Sequence, residues 1–135
     1  MNGARVVLDF PPVALWARCD ANRLEQVMVN LIGNALDAMN GQAAPLVEID
    51  GALVDGRMIR VGVRDHGTGL DAATMAHLFE PFFTTKEAGV GLGLGLAISA
   101  GIVRDFGGTL AGANHPDGGA LFTLDIPPAK EPPSP

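Results

Sequence analysis

Cysteine is almost missing from this chain. Cys19 stands alone among 135 residues, which excludes an internal disulfide framework and a cysteine-ligated zinc site. A single thiol is what a reducing compartment tolerates. Tyrosine is absent and tryptophan occurs once. Cations are scarce as well: 9 Lys and Arg stand against 15 Asp and Glu, a formal net charge of −6. A nucleic-acid surface or an anionic-membrane surface needs clustered positive charge, so neither is expected. No apolar run reaches the roughly 18 residues of a membrane span. The nearest candidate, Val90 to Val103, is interrupted by glycines and Ser99 and stops at Arg104-Asp105. The N-terminus has no basic start leading into an apolar run, so no secretory signal is expected there.

What is present belongs to one globular domain. With 47% hydrophobic and 18% charged residues, the composition is not that of a disordered chain. A chain of this length hides about two-thirds of its unfolded surface on folding. We divide it into Met1 to Ala4, an expression scar or linker end, a folded unit over 5–127, and a Pro-rich, disordered tail over 128–135. Segments 4–10 and 13–18 read as short strands split by Pro11-Pro12, which cannot donate to a ladder. Asp20 is a helix N-cap. Behind it Leu24, Val27, Met28, Leu31, Ile32, Ala35, Leu36 and Met39 form an apolar helical stripe that ends at Asn40-Gly41. Val47, Ile49, Gly51 and Leu53 alternate with polar or small residues, Asp55-Gly56 signals a hairpin, and Ile59, Val61 and Val63 line the return strand. A helical turn or two follows around 71–78. Residues 79–91 lack a sustained period and read as a mobile loop. A helix over 92–106 stops at Gly107-Gly108, and strands over 109–114 and 120–126 flank Asp117-Gly118-Gly119. The predicted class is α+β: a two-layer sandwich with a mixed, mostly antiparallel sheet of about five strands, covered on one face by about three helices.

Three segments could carry chemistry. On the first helix Asn30, Asn34 and Asp37 fall on one side by their spacing. They form either a solvated polar face or a site for a hard cation, since an amide oxygen suits Mg²⁺ that shares its shell with nucleotide phosphates. Asp65-His66-Gly67-Thr68-Gly69 closes a strand. Its glycines permit either a tight turn or a close backbone approach to a ligand, and the Asp65 carboxylate could accept from an exocyclic amine such as that of adenine. Gly89 to Ile98 runs from a glycine-rich stretch into a helix. Backbone N–H groups there suit phosphate, although Gly and Leu alternating could equally make a close-packed helix face. The segment is not a P-loop, lacks the dinucleotide fingerprint, and is accompanied by no protein-kinase motif set.

The order and separation of these segments carry more information than any one of them. Glu25 to Ala38, with Asn30 and Asn34, resembles the N box of bacterial sensor histidine kinases. Asp65 to Gly69 resembles their first glycine box, Phe79-Glu80-Pro81-Phe82-Phe83-Thr84-Thr85-Lys86 their F box, and Gly91 to Gly95 their second glycine box. The wording from Gly91 to Ser99 and on to Gly108 is most similar to kinases sensing dicarboxylates or nitrogen status.

The resemblance covers about residues 5–127 and implies the Bergerat fold, ATP and Mg²⁺ as cofactors, and protein-histidine kinase activity. Asn34 would be the Mg²⁺ ligand, with Asn30 and Asp37 near the phosphates. Asp65 would bond the adenine amino group, and Gly67 and Gly69 would let backbone close around the base. Phe79, Phe82 and Phe83 would anchor a lid, unless they simply pack in the core. Thr85 and Lys86 would reach the nucleotide, and Gly91, Leu92, Gly93, Leu94 and Gly95 would present backbone to phosphate. Asn30, Asn34 and Lys86 are thus the residues implied to be catalytic. His66 departs from the Asn common in its box and is expected at the rim.

The phosphoacceptor motif, a His followed by an acid and then a Pro, is absent, because His66, His77 and His115 all lack that context. The chain therefore reads as a catalytic ATP-binding domain. Its partners would be the dimerisation and histidine phosphotransfer domain of the same full-length kinase and a response regulator, with no nucleic acid and no direct membrane contact. It would lie in the cytoplasm, as part of an inner-membrane sensor. Two alternatives come from the same superfamily. One is an ATP-hydrolysing clamp, which uses a Glu where Asn30 stands here; an amide cannot serve as that base. The other is a serine-directed kinase, separable only by the residue it phosphorylates. A pseudokinase has no support, since the metal and adenine positions are intact.

Overall fold

A computed structural model describes residues 4–10, 19–80 and 92–128. The strand expected over 13–18, most of the F box and lid, and the tail beyond Pro128 lie outside the described residues.

Helix α1 spans Ala21–Ala38, after strand β1 at Arg5–Asp9. Its start follows from Asp20, whose carboxylate accepts from the backbone N–H groups of Asn22 and Arg23 and so satisfies two donors that have no partner within the helix. Its stripe buries Val27, Leu31 and Ala35, with Met39 buried just past the end. Removing Val27, Leu31 or Met39 from water contributes about 1.5–3 kcal/mol each.

Strands β2 (Leu46–Val54) and β3 (Met58–Arg64) form the expected hairpin. Asp55 takes a left-handed backbone conformation at φ 55°, which a short polar side chain tolerates. The alternation holds along most of β2, with Val47, Ile49 and Gly51 buried, but Leu53 is half exposed next to the hairpin turn. After the short helix α2 (Ala72–Ala76) comes helix α3 (Leu92–Asp105). Helix α3 ends as its Gly107-Gly108 predicts: the Gly108 N–H donates to Val103 C=O and the Gly107 N–H to Arg104 C=O, the pattern that satisfies terminal carbonyls. Strands β4 (Thr109–Asn114) and β5 (Ala120–Ile126) complete the sheet.

The sheet order is β1-β2-β3-β5-β4. β1 runs parallel to β2, and the other neighbours are antiparallel. The register pairs Ile59 with Ile126 and Val63 with Phe122, and these residues join α1 and α3 in one core. The opposite face is polar: Arg60 grips Asp125 through two bonds of 2.8 and 2.9 Å, and the Asp50 carboxylate accepts from the Gly62 N–H. A sheet with one apolar and one charged face can be covered by helices on one side only, which is the two-layer α+β arrangement expected. The helices α1 and α3 cross that face antiparallel, so the N-terminal turn of α3 lies beside the C-terminal half of α1. That crossing creates the site.

Candidate functional site

A cavity of about 220 Å³ opens between the C-terminal half of α1, the end of β3 and the loop that leads into α2. Asn34 and Ala38 line it from α1, and Asp65, Thr68, Gly69 and Leu70 from the loop. Asp71 and Thr74 line it from the start of α2, and Ala120 and Phe122 from β5. This is below the roughly 300–1,000 Å³ of typical ligand pockets, enough for the ring end of a nucleotide but not for all of it.

Asp65 is its buried charge, 3% exposed. Position 65 follows directly on β3 and its N–H still donates to the Ala120 carbonyl, so the alternation that buries Ile59 and Val63 also turns Asp65 inward. Oδ1 accepts from the Gly67 N–H at 2.8 Å and from the Ala120 N–H at 3.1 Å. Both backbone donors converge on one oxygen, and Oδ2 is the one left for a ligand donor. The two glycines of this box have separate physical causes. A Cβ at Gly67 would lie 2.6 Å from the Ala38 carbonyl oxygen, so a side chain there would push the loop off α1. Gly69 stands at φ 84°, a conformation costly for any residue with a Cβ.

Asn34 meets the cavity from the other side. Its Nδ2 is buried and has no hydrogen-bond partner among the described residues. A buried amide group left unpaired costs about 1–3 kcal/mol, so the position suits a ligand that supplies what the chain does not. Asn30, one turn earlier, is occupied: its Nδ2 donates to Ser99 Oγ at 3.0 Å and to the Gly95 carbonyl at 3.4 Å. Asn30 thus ties α1 to α3, and only its Oδ1 is left over. Gly95 stands beside Asn30 rather than in the cavity wall, and Leu92, Gly93 and Leu94 form the opening turn of α3. Asp37 is exposed and is not among the residues lining the cavity.

His66 is not at the rim. Its Nε2 meets Glu48 Oε1 at 2.6 Å, and the same oxygen lies 3.6 Å from Arg64 Nη1. The alternation of β2 and β3 turns Glu48 and Arg64 to the open face of the sheet, and His66 follows them there. Phe79 packs against the core and borders a separate shallow groove beside β4, so core packing is its role among the described residues. Phe82, Phe83, Thr85, Lys86 and Gly91 lie outside the described residues.

Thr74, Leu70 and Asp71 line the cavity without having been expected to. Thr74 is 5% exposed. Its backbone N–H, and secondarily its hydroxyl, donate to Asp71 and hold that carboxyl below its ordinary pKa. The Asp-x-x-Thr spacing of an N-cap could have revealed this pair. Partial burial and then the neighbouring Asp20 charge push the Cys19 thiol pKa up, which lowers its thiolate fraction. Among the described residues no cluster of three or more His, Cys, Asp or Glu could cage a metal.

Comparison with known proteins agrees with this geometry. Residues 19–130 match the family described as histidine kinase-, DNA gyrase B-, and HSP90-like ATPase. The chain belongs to this family. It is 42% identical over 120 residues to the C4-dicarboxylate transport sensor protein DctB of Pseudomonas aeruginosa, which covers 89% of this chain but 20% of that protein. The chain thus spans about a fifth of the length of this relative. Among solved structures, the nucleotide-free catalytic domain of histidine kinase ThkA superposes with a TM-score of 0.79 at 29% identity, covering 93% of this chain and 80% of that one. ThkA in complex with the response regulator protein TrrA gives a TM-score of 0.76 at 28% identity, covering 93% of this chain and 34% of that one. Family membership and the α+β fold of histidine kinase catalytic domains therefore stand as read from the boxes. Among the described residues no helix is long and apolar enough to cross a membrane.

Proposed function

We propose that this chain is the ATP-binding catalytic domain, over residues 5–127, of a sensor histidine kinase. It presents the γ-phosphoryl of Mg-ATP to a histidine on a separate dimerisation domain, for relay to a response regulator, in the cytoplasm. The observation that carries the reading is the convergence of Asp65 and Asn34 on one cavity from two elements, one with an oxygen left for a ligand donor and the other with an unsatisfied buried amide.

In this reading Asp65 accepts from the adenine amino group, while Gly67 and Gly69 let the loop lie flat against the base. The cavity admits the base, and the phosphates extend along α1 toward the opening turn of α3, where unsatisfied backbone N–H groups favour anions. Asn30 braces α3 against α1 and so holds that turn in line with Asn34. Mg²⁺ fits the donors present. Among the described residues there is no carboxylate cage; the amide oxygen of Asn34 would share the ion with phosphates, and its unpaired Nδ2, a donor, suits a phosphate oxygen. When bound, the ion would neutralise charge on the phosphates. The chain's own part is positioning, which is the main protein contribution to phosphoryl transfer. Thr85, Lys86 and Gly91 complete the reading as contacts from the lid side. Support for a kinase over a hydrolysing clamp comes from Asn30: the position that would hold a water-activating base carries an amide, and its nitrogen already donates to Ser99 and Gly95.

The test mixes the chain with a histidine-bearing dimerisation domain and γ-labelled ATP. Acid-labile phosphate on the histidine domain is the expected product. Acid-stable serine phosphate, or free ATP turnover lost on Asn30→Ala, would replace this reading with the serine kinase or the clamp.

A further inference from the structure

The loop from Thr68 to Leu70 forms one wall of the cavity, yet it belongs to no helix or strand. A wall of this kind can position a flat ligand only if something outside the loop fixes its backbone. That something is 44 residues away. Asn114, the last residue of β4, accepts from the Leu70 N–H through Oδ1 at 2.6 Å and donates to the Leu70 carbonyl through Nδ2 at 2.9 Å. One side-chain amide thus supplies both bonds that a neighbouring strand would have given to Leu70. The fit is close at the residue before: a Cβ at Gly69 would lie 2.8 Å from the same Oδ1. Asn114 is also paired across the ladder with Ala120, whose N–H donates to Asp65 Oδ1. A single residue therefore links the loop wall to the group that fixes the base-reading carboxylate.

We infer that Asn114 is a positioning residue for the nucleoside: its amide sets the distance between the Gly69-Leu70 wall and Asp65, and with it the affinity for the adenine end of the ligand. This rests on the ATP-binding reading above. Asn114 touches neither phosphates nor the reacting atoms in this arrangement, so its influence is on binding and not on the transfer step. Asn114→Asp retains the acceptor for the Leu70 N–H but sets a second acceptor against the Leu70 carbonyl. Asn114→Ala removes both bonds.

The experiment titrates the intact chain and both variants with fluorescent analogues of ADP and of ATP, and measures transfer to a histidine-bearing dimerisation domain. Loss of two neutral hydrogen bonds predicts roughly tenfold weaker binding in Asn114→Ala, equal for ADP and ATP because the defect lies at the base. KM for ATP should rise by the same factor while kcat at saturation stays within about twofold. Amide exchange at Leu70 should be slow in the parent chain, fast in Asn114→Ala and slower in Asn114→Asp, which keeps the acceptor for this N–H; this reads the clasp even where a variant is less stable. Unchanged nucleotide affinity in Asn114→Ala overturns the inference while leaving the ATP reading intact, as does a fall in kcat with KM unmoved. Should the parent chain itself bind no adenine nucleotide, it is the ATP reading that fails.

Discussion

On the side of the cavity formed by residues 65–74, Asp65 holds two backbone donors, Leu70 is clasped by Asn114, and Asp71 caps α2 through Thr74. Across from it, on α1, Asn34 carries a buried amide nitrogen with no partner among the described residues. The bonds of the first wall are all made within the chain, whereas the second keeps an unmet bonding capacity at Asn34 Nδ2. In the ATP reading proposed above, base recognition is therefore preorganised and costs little on binding. In the same reading the metal and phosphate end would be organised by the nucleotide itself, so affinity should divide into a metal-independent share and a metal-dependent one.

Substitutions can break each wall separately. The largest effect is expected at Asp65. In Asp65→Asn the amide oxygen can still accept from Gly67 and Ala120, which turns a donor NH₂ toward the cavity. Adenine then meets a donor where it needs an acceptor, and ATP affinity should fall by about 10- to 100-fold, as for losing a bond to a charged group. GTP should bind the variant better than it binds the parent, and competition titrations with both nucleotides would check the reversal. Next comes Asn34→Ala. ATP binding measured with Mg²⁺ should weaken by about tenfold, while ADP without Mg²⁺ stays within about twofold, consistent with a ligand role confined to the second wall. Retained Mg-ATP affinity would remove the metal assignment.

Asn30→Ala breaks the tie between the helices and leaves Ser99, fully buried, without its donor. Stability should drop by about 1–2 kcal/mol, read as a lower urea midpoint with an unchanged slope. Acid tests the cap. Since Asp71 has its folded pKa lowered below the ordinary 3.8, its contribution is intact above that value and is lost as pH falls through the folded pKa. Amide exchange at Thr74 should accelerate over that acid range in the parent but show no such pH dependence in Asp71→Asn. The smallest effect belongs to His66→Gln, because the pair with Glu48 is partly exposed and on the far side of the sheet. A stability change within about 1 kcal/mol and unaltered ATP affinity are expected. A large loss of affinity there would mean that the open face communicates with the site.

Local signals made most of this fold legible. Asp20, the stripe from Leu24 to Met39, the Asp55-Gly56 turn and the Gly107-Gly108 stop each act through neighbours within a few residues, and each element appears where they place it. Asn34 and Asp65 were legible as candidates because their boxes stand in a family order, and the cavity brings the two together. What escaped were contacts across long separations. The helical spacing of Asn30, Asn34 and Asp37 could not show that Ser99 takes Asn30, or that Asp37 stays outside the cavity wall. Nothing near Asn114 hints at Leu70. His66 was expected at the rim because its box surrounds the ligand, but the parity of the strand decides its side.

The amide that secures Asp65 comes from Ala120, at the start of the last strand. A growing polypeptide could display the N box and both glycine boxes outside the ribosome and still have an unfinished base pocket. Ending translation before residue 120 should give a product that carries the diagnostic boxes yet cannot hold adenine, so their presence in a truncated gene product is no guide to nucleotide binding.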